Sequence, residues 1–365
     1  MNDLRGVWMR RVLRAVGVLL ALGILFLIVT PIGRYLLRAG WEEAKILKRR
    51  RPIAEMVTDT SISPVVRRKL ELVLEARSYA HDSLGLDAKK SFTTYTELRH
   101  DTLVLVLSGV YPDQLKQKTW WFPIVGSVPY KGYFDAGQAK RAAEDLKREG
   151  FDVYLRPASA FSTLGWFNDP LVSTTLKADS IDLVDTVIHE LTHNTYYAPG
   201  GAIFNESFAN FVGARGAAAF FRSHGSPDAS DEADARWSDQ QLMASFWGRL
   251  YKTIDSAFKA HPGPENRSLR IAVRDTIYRA ARETLLHDLG PKFRVIGPHV
   301  LERMRIDNAA VMAHRVYLTD VDLFDAAWEK NGENLRTTIV RVIQLAKSDT
   351  AHKPFQALRS SLQGR

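Results

Sequence analysis

Between Leu183 and Val212 the sequence predicts two helices separated by a helix-breaking turn. Val184, Val187, Ile188 and Leu191 recur at helical spacing over residues 183–196. Pro199-Gly200-Gly201 then breaks the helix, and Phe204 to Val212 opens a second helical pattern. The polar residues of this unit are tightly constrained. His189 and His193 are four apart, so they share one helix face and can converge on one ion. Glu190 lies about 100° round the helix from His189. It can miss the ion and still reach water beside it. Two neutral imidazoles that bind and one carboxylate that acts as base are what a zinc hydrolase needs. The plain alternative is a surface helix with two solvated histidines.

A catalytic zinc also needs a third protein ligand and an open position. If the two helices run antiparallel about the Pro-Gly turn, Glu206 stands opposite His193 and Asn210 opposite His189. Glu206 is then the expected third ligand. Asn210 is expected to hydrogen-bond the outer nitrogen of His189 and fix its tautomer. Each has a plainer reading: Glu206 as an acid favoured near a helix N-terminus, Asn210 as a solvated helix residue. The chain has no cysteine, which excludes disulfides, thiolate metal sites and cysteine nucleophiles. Any ion must be held by histidine and carboxylate, a set that suits zinc, with one ion expected per chain.

The N-terminus carries a membrane signal. Ala15 to Ile32 reads AVGVLLALGILFLIVTPI without a charge, nearly enough to cross the hydrocarbon layer as a helix, and the stretch through Leu37 extends it. No A-x-A cleavage pattern follows, so residues 15–37 are expected to be an uncleaved signal anchor, with a cleaved signal peptide as the alternative. A basic tail (1–14) precedes it and a basic juxtamembrane helix or linker (38–56) follows. The charge distribution argues against nucleic acid as a partner. Residues 1–51 hold eleven Lys/Arg and three acids, a net +8 of the chain's +9, so the remainder is close to neutral and has no basic groove to expect. A naive count of flanking charge would leave the C-terminal domain in the cytoplasm.

The rest reads as one α+β unit: a core over 57–228 and a helical C-terminal region over 229–365. Ser63 to Leu84 is expected to be helical, with Pro64 at its start. Leu103 to Leu107, Trp120 to Val128, Tyr130 to Phe134, Val153 to Leu155 and Phe161 to Phe167 are strand candidates. Asp135 to Glu149 is an amphipathic helix, with Asp135 as N-cap and Gly150 as stop. Gly225 to Ala235 reads as a polar loop between helices.

HELTH (189–193) followed by FNESFANFV (204–212) resembles the gluzincin peptidases, which join H-E-x-x-H to a downstream N-E-x-x motif. The likeness is closer to a bacterial family of predicted aminopeptidases, whose other blocks are matched by WWFPIVGSVPYKGYFD (120–135) and FDVYLRPASAFSTLGWFNDPLVSTTL (151–176). It covers most of residues 45–215. The resemblance implies a zinc peptidase acting on a peptide or protein substrate, with His189, His193 and Glu206 as ligands and Glu190 as catalytic base. It also implies a gluzincin-like fold: a small mixed or antiparallel sheet packed on the HExxH helix. The linker from His193 to Glu206 is shorter than in thermolysin-like enzymes. Many members look like lipoproteins, whereas this chain offers an apolar anchor. Such members carry similar basic runs after their export signal, so the likeness points to a single-pass protein of the bacterial inner membrane with a periplasmic or otherwise extracytoplasmic catalytic domain.

Gluzincins bind substrate backbone along an edge strand before the zinc helix. Gly165 and Trp166 fall there, and Gly165 would permit close approach of another backbone; a core strand with a bulge reads equally well. Asp169 could anchor a substrate α-amine, or simply start a turn before Pro170. The tetrahedral oxyanion needs a second electrophile, for which Tyr196, Tyr197 and Tyr251 are candidates. Rival readings are a zinc endopeptidase using the same site and a membrane-anchored scaffold with a vestigial metal site.

Overall fold

The structure is a computed structural model, and it describes residues 2–98, 104–123, 126–157, 170–349 and 353–364. Helix α1 (Asn2–Val29) contains Arg11–Val29, long and apolar enough to cross a membrane by length and composition. The chain turns at Thr30, whose hydroxyl caps Gly33 N–H, and Pro31 opens α2 (Pro31–Lys48). The apolar helix thus stops at Val29, inside the 15–37 stretch, because an N-cap followed by proline at the first helical position starts a new helix.

A short strand β1 (Arg51–Pro52) and turn α3 (Ile53–Met56) lead to α4 (Pro64–Asp82), capped by Ser63. Strands β2 (Thr94–Thr96), β3 (Leu105–Val110), β4 (Trp120–Phe122), β5 (Gly126–Val128) and β6 (Lys131–Tyr133) follow. Helix α5 (Ala136–Arg148) is capped by Asp135 and ends at Gly150 in the left-handed region. Then come β7 (Asp152–Pro157), β8 (Leu171–Val172) and the turn α6 (Ser173–Leu176). The strand candidate at 161–167, Leu103, and the site candidates Gly165, Trp166 and Asp169 lie outside the described residues.

The expected small sheet is three separate ones. β1-β2-β8 is mixed, β6-β3-β7 antiparallel, and β4-β5 a hairpin with Trp121 opposite Ser127. Most strands are two or three residues long, so register depends on which helix each piece meets rather than on its own pattern.

The remainder is helical: α7 (Ser180–Thr195), α8 (Ala202–Ser223), α9 (Pro227–Ala260), α10 (Arg267–Glu283), α11 (Pro298–Arg303), α12 (Asn308–Tyr317), α13 (Val321–Lys330), α14 (Leu335–Ser348) and α15 (Pro354–Leu362). A π-type segment Thr284–Leu289 extends α10. The loop expected over Gly225–Ala235 is corrected: only the Gly225–Ser226 turn is non-helical, and α9 starts at Pro227. Proline in the first turn and Asp228 at the positive end of the dipole suit a helix start. Ser230, Ala233 and Ala235 are buried, so the segment is small-faced rather than polar throughout.

Helix α8 is the centre of the main core. Phe204, Phe208, Phe211 and Phe220 are buried along it, against α4 and α7 on one side and α13, α14 and α15 on the other. A helix buried on several sides loses its polar face, as α8 has. A second cluster joins α9, the π-type segment, α11 and α12 through Trp247, Ile254, Leu285, Leu301 and Val311. A third packs α5 on β3 and β7. Helix α12 packs on α8, α9, β3 and β7, so it carries the antiparallel sheet to the main core.

Candidate metal centre

Helices α7 and α8 pack against each other more extensively than any other pair of helices among the described residues. Two glycines of α8 allow it. A Cβ on Gly213 would collide with Asp185 Oδ1 and come within 3.2 Å of His189 Cβ; one on Gly216 would lie 2.9 Å from Ile188 Cγ2. The turn between the helices is clamped by Asn205. Its amide donates to Ala198 O (2.9 Å) and its oxygen accepts from Ala198 N–H (2.8 Å). At the far end Asp179 caps α7 through the amides of Ile181 and Asp182. The helices therefore run antiparallel in a fixed register, and Glu206 faces both histidines.

His189 Nε2 and His193 Nε2 are 3.2 Å apart. Glu206 Oε2 is 3.5 Å from the first and Oε1 3.6 Å from the second. A tetrahedral ion held at 2.0–2.2 Å requires ligand atoms about 3.3–3.6 Å apart. The two His–Glu separations fall in that range and the His–His separation lies just below it, and these three side chains form a group of the described residues that could hold a metal ion. They keep 14%, 18% and 25% of their exposure, so one side of the triad stays open to solvent, as a catalytic site needs. His193 Nδ1 is buried without a hydrogen-bond partner among the described residues.

The electrostatics favour a cation. Burial disfavours charge on His189, but pairing with Glu206 and the fields of Glu190 and Asp185 outweigh it and raise its pKa to about 9. Glu206 is held well below the carboxylate range: burial works the other way and loses to the two histidines. Asp185, one turn before His189, is pushed by burial up to about 7. Three carboxylates thus surround two imidazoles, and a divalent ion binding here would displace the proton that the acids hold on His189.

Asn210 does not play the expected part. Its amide donates to Tyr317 O (2.8 Å), and among the described residues no hydrogen bond links it to His189. One turn from Glu206 it meets the end of α12 instead, and Ser207 Oγ accepts from Thr319 N–H beside it (3.2 Å). These two bonds fix Tyr317 at the site. Arg156 of β7 donates to the Tyr317 hydroxyl (2.7 Å). Burial raises the pKa of this phenol, Arg156 opposes that, and Glu206 and Glu190 both act on it in the raising direction. Since its oxygen accepts from Arg156, the Tyr317 hydroxyl keeps its own hydrogen to donate.

Among the tyrosines singled out from sequence, Tyr197 is near, with its ring 6.0 Å from that of His193. Tyr196 turns into the main core with Lys347 over its ring, and Tyr251 packs under Arg315 between α9 and α12. Neither has a hydrogen bond or ring contact with the triad among the described residues.

A family profile described as putative aminopeptidase matches residues 34–357. The chain belongs to this family. The match takes in the triad, Glu190, Tyr317 and the C-terminal helices, and membership suggests peptidase activity. No match was found among curated proteins or among solved structures.

Proposed function

We propose that this chain is a membrane-anchored zinc aminopeptidase, with α1 as anchor and the α7–α8 triad as its catalytic centre. The observation that carries the reading is the convergence of His189, His193 and Glu206 at the separations a tetrahedral ion requires. Zinc bound there would acidify water and polarise a peptide carbonyl. Glu190 sits next to His189 on α7 and is electrostatically coupled to it. It takes the proton from the attacking water and returns it to the leaving amine. Tyr317, held by Arg156 from β7 and by Asn210 from α8, donates to the oxyanion that develops on the substrate. The peptide enters from the open side of the triad. The aminopeptidase label itself rests on the family.

The test uses the full chain with zinc and paired peptides, one with a free N-terminus and one N-acylated. The expected result is cleavage of the free peptide, lowered about 10²–10⁴-fold in Glu190→Gln with metal content unchanged. Equal cleavage of acylated peptides would replace aminopeptidase by endopeptidase. Equal rates for wild type and Glu190→Gln would remove Glu190 from the mechanism.

A further inference from the structure

The outer face of α2 is built for a surface that is both apolar and negative. Ile46 on the inner face is buried, and its carbonyl accepts from Thr96 Oγ1 (3.0 Å). Apart from Pro31 and Gly40, the exposed positions are Arg34, Leu37, Arg38, Trp41, Ala44 and Lys48. They recur at helical spacing, so they form one stripe. It carries three cations and no acid; Glu42 and Glu43 are turned partly inward, and Glu42 pairs with Lys45. Trp41 is 64% exposed. An exposed tryptophan between cations, here Arg38 and Lys48, is unusual against water and ordinary at a lipid headgroup layer.

The position of the stripe says which surface covers it. Gly33 lies against the backbone of the last turn of α1, where a Cβ would come within 2.5 Å of Leu27 Cα. Helix α2 therefore folds across the end of α1 instead of continuing away from it. Tyr35 lies six residues past Val29, no more than about 9 Å along the axis even for a straight helix, comparable with a headgroup layer of about 5–8 Å. Tyr35 is gripped by the sheet pieces of the catalytic domain. Its ring is 5.4 Å from that of Phe122 in β4, and Lys131 Nζ of β6 sits 5.1 Å over it. The neighbours of those two residues, Trp121 and Tyr130, are exposed large aromatics.

We propose that the α2 stripe and the Trp121 face of the β4–β5 hairpin dock on an anionic phospholipid surface and hold the catalytic domain against the bilayer. The inference rests on the reading of α1 as a membrane anchor. Trp41 and Trp121 enter the headgroup layer, while Arg34, Arg38 and Lys48 meet lipid phosphates.

The absence of cysteine makes the test direct, since one introduced cysteine carries one spin label. Full-length chain is placed in vesicles of phosphatidylcholine with phosphatidylglycerol, labelled at Leu22→Cys in the apolar helix, Ala44→Cys on the stripe, Ser127→Cys opposite Trp121, or Val340→Cys on exposed α14. Collision with a water-soluble nickel complex is measured at each. The expected result is severalfold protection at Leu22, Ala44 and Ser127 relative to Val340. Reversing the stripe with Arg34→Glu and Arg38→Glu is expected to restore nickel access at Ala44. Protection at Leu22 with Ala44 and Ser127 reading like Val340 would overturn the docking and leave the anchor standing. A nickel-accessible Leu22 would overturn the anchor and the docking with it. Protection at Ala44 unchanged by charge reversal would overturn anionic lipid as the occupant.

Discussion

The two ends of α8 solve the same problem in opposite ways. At the far end, Arg215 donates to Asp325 (2.9 and 2.7 Å) and to Asp234 (2.9 Å), while Trp237 and Gln241 fill the second oxygen of Asp325. Buried Asp325 and partly exposed Asp234 there share a cation of their own, Arg215. At the near end Glu206, with Glu190 and Asp185 close by, faces two histidines and, among the described residues, pairs with no guanidinium. That end draws its positive charge from a proton on His189 or from an ion. Charge at the far end is balanced within the protein; the cluster at the near end is one that the proposed metal ion would complete.

Substitutions should separate the two ends. Arg215→Met leaves Asp325 buried without its cation and is expected to cost about 3–5 kcal/mol in urea unfolding, with the metal content of the folded protein unchanged. A loss below 1 kcal/mol on that scale would mean the far network is not holding α8. Tyr317→Phe removes a donor from the near end only. It is expected to lower kcat about 10²–10³-fold while leaving metal content and KM in place; an unchanged kcat would return the electrophile role to Tyr197.

A third, partly buried group sharpens the contrast. His314 stacks on Trp247 at 4.4 Å, and burial alone lowers its pKa to about 4, whereas the acids around His189 raise that imidazole to about 9. Below the unfolded value of 6.5 the unfolded chain binds a proton that folded His314 refuses. The stability due to neutral His314 is complete above pH 6.5 and is lost as pH falls towards 4, by about 3 kcal/mol. His314→Phe keeps an aromatic stack and should flatten that part of the pH profile of unfolding. An identical acid slope in both proteins would assign the lability elsewhere.

The helix pair was legible in the sequence because its signals are local: apolar spacing, a Pro-Gly break, and histidines four apart. Glu206 followed from folding one helix back on the other. Tyr317 was not legible. It is 161 residues from Arg156 and more than 100 from Glu206, and the packing of α12 between sheet and α8 brings them together. Asn210 was given the wrong partner, since the sequence does not show that the end of α12 covers it. The start of α9 read as a loop because its acids and alanines suit a helix N-terminus as well as a turn. The three small sheets read as one because strands this short carry no register of their own.

The most direct measurement is zinc content per chain after dialysis against limiting metal, for wild type and for His189→Ala and Glu206→Ala, with folding checked by circular dichroism. One zinc per wild-type chain, lost in both variants while the helices remain, is the predicted result. Wild-type protein that hydrolyses peptides without bound metal, or variants that keep a full equivalent of zinc, would contradict the assignment of the α7–α8 triad.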